Sequence, residues 1–112
     1  MDNLYIEDTK VSPKISFNAQ TGVMDISGKS YPENTFDFYR PVMEWLKLYF
    51  EQTHTVNAVF NFKISYFNSS SSKLFYDMFD LLEEAQETGH EIVINWIHDK
   101  DNENAEESGM DF

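Results

Sequence analysis

Four serines in a row, Ser69-Ser70-Ser71-Ser72, follow Tyr66-Phe67-Asn68 and precede Lys73. A serine hydroxyl offers three kinds of chemistry. It attacks as a nucleophile when a base lies beside it. It accepts a phosphoryl group, which adds about −1.5 to −2 charges and three acceptor oxygens. It caps a helix by accepting from an unpaired backbone N–H. No G-x-S-x-G elbow frames these serines, although His98 follows the strand expected beside them. His54, His90 and His98 stand at loop edges without paired ligand spacing, and the acidic C-terminus lacks the glycine and fixed ligand positions of an EF-hand, so no metal site is expected. With only 4 Gly and no phosphate-cradling motif, no nucleotide cofactor is expected either. A phospho-acceptor needs less: a hydroxyl within a kinase's reach, and a surface whose meaning changes with charge.

The elements that position these hydroxyls are the clearest in the chain. Val56 to Tyr66 reads as a strand, with Val56, Ala58, Phe60, Phe62, Ile64 and Tyr66 on one face and mostly polar residues on the other. Leu74 to Glu87 reads as an amphipathic helix, with Leu74, Met78, Leu81, Leu82 and Ala85 on one stripe. The serines therefore fall where a strand hands over to a helix, at N–H groups that suit an oxyanion. They either cap that helix or serve as a modification site. Thr88-Gly89 stops the helix, and Glu91 to Ile97 is the next strand, so a right-handed parallel crossover is expected.

Upstream, Leu4-Tyr5-Ile6 reads as a short edge strand. Lys14 to Ala19 and Val23 to Ser27 flank the turn Gln20-Thr21-Gly22 and form a hairpin, with Gly28 ending its second strand. Ser30-Tyr31-Pro32-Glu33-Asn34 reads as a loop, with Asn34 as N-cap of a helix whose face is Phe36, Tyr39, Met43, Leu46 and Phe50. Pro41 predicts a kink, or a short first turn before a main helix from Pro41 to about Gln52. Phe38, Trp45 and Leu48 lie off that face, and either widen the buried stripe or form an exposed docking strip.

Composition sets the outer bounds. One hundred and twelve residues with 41% hydrophobic and 16% aromatic content make one domain with a real core. The net charge of −12, with 8 Lys plus Arg against 20 Asp plus Glu, argues against nucleic acid and against an anionic membrane as partners. It favours either a basic protein partner or simple solubility. No apolar run is long enough to span a membrane, the N-terminus lacks a signal-peptide pattern, and cysteine is absent, which fits a cytoplasmic protein.

Three stretches carry a family likeness: Ser30-Tyr31-Pro32-Glu33-Asn34, Tyr66 to Lys73 with Asp80 to Ala85, and more weakly Pro41-Val42-Met43-Glu44-Trp45-Leu46. In these the chain resembles the SiaC family of bacterial regulatory phosphoproteins, which in turn resembles the STAS domains of anti-anti-sigma factors. The resemblance implies a partner switch. A serine/threonine kinase phosphorylates the protein, and a PP2C-type phosphatase reverses this. The unphosphorylated form binds and activates a diguanylate cyclase, linking it to cyclic di-GMP and biofilm control. Family members carry Thr or Ser directly after the motif's Asn. That implies Ser69 as acceptor, with Ser70 as the alternative, and Tyr31, Pro32, Glu33, Asn34, Asn68, Ser70 and Ser71 as partner contacts.

The expected architecture is α/β: a single STAS-like domain over residues 1–98, with a small mixed β-sheet, an N-terminal hairpin and helices mainly on one face. Residues 99–112, with six acids and one lysine, form an acidic tail or short helix. The expected function is non-enzymatic regulation; the alternative is a constitutive interaction module whose serines only cap.

Overall fold

The computed structural model describes residues 2–52 and 57–97. Alternation of polar and apolar residues gives β1 (Leu4–Ile6), β2 (Lys14–Phe17) and β3 (Val23–Ser30). These pair antiparallel in sequence, as the hairpin pattern predicted. Asn18 makes the turn, its side-chain oxygen accepting from the N–H groups of Gln20 and Thr21 at 2.9 and 3.0 Å. Gly22 closes it at φ +77°, where a Cβ would meet the Asn57 carbonyl oxygen at 2.6 Å. Only glycine fits that approach.

From β3 the chain crosses twice in the same sense. Helix α1 (Thr35–Gln52) leads to β4 (Asn57–Phe67), and α2 (Ser69–Glu87) leads to β5 (Glu91–Trp96). Both new strands add in parallel, giving the sheet order β1-β2-β3-β4-β5. Two crossovers of one hand that progress across a sheet in one direction put both helices on one face. The core is that single interface. Ile15, Phe17, Met24, Ile26, Phe60 and Phe62 from the sheet meet Tyr39, Val42, Leu46, Phe75, Met78 and Leu82 from the helices. Each large side chain so buried contributes about 1.5–3 kcal/mol. The opposite sheet face carries polar cross-strand pairs, Asn61 to Asp25 at 2.8 Å and Asn95 to Asn61 at 2.9 Å.

Several sequence expectations shift. Gly28 does not end β3. It sits at φ +111° opposite an irregularity, where Gly28 pairs with Ile64 but Lys29 pairs with Tyr66, so Ser65 is an extra residue in β4. Such a bulge inverts the alternation beyond it. Tyr66, expected on the core face, is therefore 50% exposed, while Phe67 turns inward against Phe75.

Pro41 does not divide α1, which runs unbroken through it. The proline faces solvent, and Tyr39, Val42, Trp45, Leu46 and Tyr49 bury the helix on either side. That packing offsets the roughly 3 kcal/mol that proline costs inside a helix. The buried face is also rotated. Thr35, Tyr39, Val42, Leu46 and Tyr49 are buried, while Phe36 is 64% exposed. Trp45 widens the buried stripe, its Nε1 donating to the Asp2 carbonyl at 2.9 Å, whereas Leu48 is exposed. The helix stop is as predicted, with Gly89 at φ +108°. Val56, His54, His98 and the acidic tail at 99–112 lie outside the described residues.

Candidate functional site

One residue, Asn68, separates β4 from α2. Its backbone is extended, and its Oδ1 accepts from the Ser71 N–H at 2.9 Å. Asn68 is thus the N-cap, and the serines are left as the first four helical residues. They then divide by helical phase. Ser69 and Ser70 are exposed, Ser72 is half-buried, and Ser71 is wholly buried. The expectation that Ser71 touches a partner does not match this position, because its side chain offers nothing at the surface.

The Ser71 hydroxyl instead ties the two best-matched stretches together. It donates to the carbonyl of Ser30 at 2.9 Å. Ser30 Oγ donates back to Ser71 Oγ at 2.8 Å. That leaves the Tyr39 hydroxyl, 2.6 Å from Ser30 Oγ, as donor to it. The Asn68 N–H donates to the same Ser30 carbonyl at 3.1 Å. Burial pushes the Tyr39 phenol well above its ordinary pKa, so it stays protonated and able to donate. Every hydroxyl in this buried chain has a partner, which holds the end of β3 against the start of α2.

Above this knot lie the exposed residues. Tyr31 and Tyr66 meet edge to face at 5.5 Å. Pro32 is half-buried, and Glu33 is exposed. Asn34 caps α1 as expected, accepting from the Asp37 N–H at 3.0 Å and donating to the Asp37 carboxylate at 2.8 Å. Tyr31, Pro32, Glu33, Asn34, Asn68, Ser69 and Ser70 are therefore brought to one end of the sheet, at the carboxyl ends of β3 and β4.

Among the described residues no base is assembled beside Ser69. His90, the histidine that falls within them, stands at the start of β5, at the other end of the sheet, with Nε2 3.2 Å from the Phe50 carbonyl. No cluster of three or more potential metal ligands occurs among the described residues. Sequence reasoning missed the roles of Ser30 and Tyr39. A signal existed for Ser71: it lies at alternating four- and three-residue steps ahead of the buried Phe75, Met78, Leu82 and Ala85.

Exposed hydroxyls thus stand on a strand-to-helix junction, rimmed by an aromatic pair, in a small α/β domain. The chain belongs to the SiaC family: the family described as "SiaC family regulatory phosphoprotein" matches residues 6–112. An uncharacterized protein of Pseudomonas aeruginosa strain UCBPP-PA14 is 31% identical over 112 residues, covering all of this chain and 88% of that protein. The crystal structure of apo-SiaC from Pseudomonas aeruginosa is 32% identical with a TM-score of 0.89, covering 99% of this chain and 93% of that one. The structure of the diguanylate cyclase SiaD in complex with its activator SiaC, from the same organism, matches at 30% identity and a TM-score of 0.89, covering 96% of this chain and 88% of that one.

Proposed function

We propose that this protein is a non-enzymatic switch whose unphosphorylated form binds and activates a diguanylate cyclase, and whose phosphorylation at Ser69 abolishes that capture. A serine/threonine kinase and a PP2C-type phosphatase set the phosphorylation level in the cytoplasm, and the output is cyclic di-GMP and biofilm control. The observation that carries the reading is the division of labour at the junction. Asn68 caps the helix and Ser71 bonds the core, so Ser69 is exposed and required for neither task. A constitutive module with purely capping serines fits that arrangement less well. A phosphate on Ser69 sits in the positive field of the α2 N-terminus, so the fold tolerates it. A partner surface fitted to the neutral rim of Tyr31, Pro32, Asn34, Asn68 and Ser70, with Glu33 beside it, does not.

The test is cyclase output. Purified protein, its Ser69→Ala variant and its Ser69→Asp variant are each titrated into a diguanylate cyclase of the SiaD type, and cyclic di-GMP is measured. The alanine variant retains activation, and the aspartate variant loses it by about tenfold or more, in line with a like charge placed in a desolvated contact. Equal activation by all three overturns the switch.

A further inference from the structure

On the side of the helices that faces away from the sheet, α1 and α2 leave a groove of about 680 Å³. Its apolar lining is Phe36 and Met43 from α1 with Leu74 and Leu81 from α2. Phe36 is largely exposed, and the other three are half-buried. The rest of the lining is charged, and unequally so. Glu44, Glu51, Asp77, Asp80 and Glu84 stand against Arg40 and Lys47. Arg40 is already engaged, paired with Asp37 at 3.0 Å and lying over the Phe36 ring at 5.2 Å. An apolar stripe walled by carboxylates is complementary to one kind of ligand, an apolar stripe walled by cations.

We propose that this groove docks an amphipathic helix of a protein partner, with lysine or arginine flanking a leucine-type stripe. The two helices run in the same direction, because both connect parallel strands. From Phe36 to Glu51 the groove extends about 22 Å at roughly 1.5 Å per residue, enough for about four turns of a third helix. The other candidate occupants are repelled. A second copy presents no cationic helix, since α1 carries only Arg40 and Lys47 and α2 only Lys73 as basic residues. The chain's own residues 98–112 carry six acids against one lysine. Ser69 is not part of the groove lining: it lies about 140° and 120° around α2 from Leu74 and Leu81, although the lining residue Asp80 lies within about 20° of its phase.

The test uses the full unmodified protein and a fluorescein-labelled peptide of about 18 residues, built from leucine and lysine at amphipathic helical spacing. Binding is read by anisotropy, and the contact is mapped by methyl chemical shifts. Asp80→Lys with Glu84→Lys reverses two exposed groove carboxylates. Glu7→Lys with Asp8→Lys makes the same charge change at exposed positions outside the groove. The groove variant weakens binding by about tenfold or more and the control by less than about twofold, because charge acts here through local complementarity. Shifts concentrate on Met43, Leu74 and Leu81. Equal loss in both variants, equal binding of a scrambled peptide, shifts on the open sheet face, or no binding to the parent protein each overturns the proposal.

Discussion

Ser69 and Ser71 are the same residue type two positions apart, and they do unlike work. The difference is about 200° of helical rotation. Ser71→Ala removes one of the two donors to the Ser30 carbonyl and the acceptor of the Ser30 hydroxyl, which keeps Tyr39 as its remaining partner. It is expected to cost about 1–2 kcal/mol, the range for losing buried hydrogen bonds whose other partners remain. Ser69→Ala should stay within about 0.5 kcal/mol, as surface changes do. Urea unfolding of the two variants beside the parent checks this, and matching midpoints would remove the structural role given to Ser71. Residue type alone could not separate the four serines. Carrying the phase of Phe75, Met78, Leu82 and Ala85 one step towards the N-terminus would have. Asn34 was legible as a cap because it stands at a helix start with its partner Asp37 three residues on.

At the scale of elements, sequence patterning located every strand and both helices among the described residues, but not their rotation where a non-local partner intervenes. The reversal of Tyr66 and Phe67 depends on how β4 pairs with β3, thirty-seven residues back along the chain at the Ser65 to Gly28 contact. Nothing within β4 announces it. Deleting Ser65, the extra residue, should give simple alternation with Ile64 inward, Tyr66 outward and Phe67 inward. Phe67 would then keep Phe75 and Trp96, and Tyr66 would keep Tyr31. The expected cost is about 1 kcal/mol, that of the Ser65 hydrogen bond to the Gly28 carbonyl. Thermal unfolding gives the cost, and a loss on the order of 3 kcal/mol, similar to losing a buried aromatic side chain, would show that the facing of Phe67 needs the bulge. Of the two outcomes expected at Pro41, the division of the helix does not occur, for a related reason: its local penalty is readable in sequence, whereas the tertiary packing that outweighs it is not.

For the molecule as a whole, the charge of −12 is the dominant long-range term. About a third of it rides on α2, and of its acids Asp77, Asp80 and Glu84 line the groove. Self-repulsion of this kind opposes the folded state and is screened by salt. Raising sodium chloride from about 0.02 to 0.3 M, which shortens the Debye length several-fold, should therefore raise the urea midpoint, by about 1 kcal/mol or less. A falling midpoint would mean that attractive pairs outweigh the repulsion. The composition foretold the sign of this effect, but not that the acids would gather around an apolar channel, since that needs both helices on one side of the sheet.

That one-sided placement has an evolutionary corollary. Side chains such as Asp25, Asn61 and Asn95 point where neither α1 nor α2 covers them. They answer to β-propensity and to their cross-strand neighbours, not to a volume that must be filled. Lineages of this fold can thus rewrite that surface freely and acquire new associations there, while the lettering beneath the helices changes only in concert.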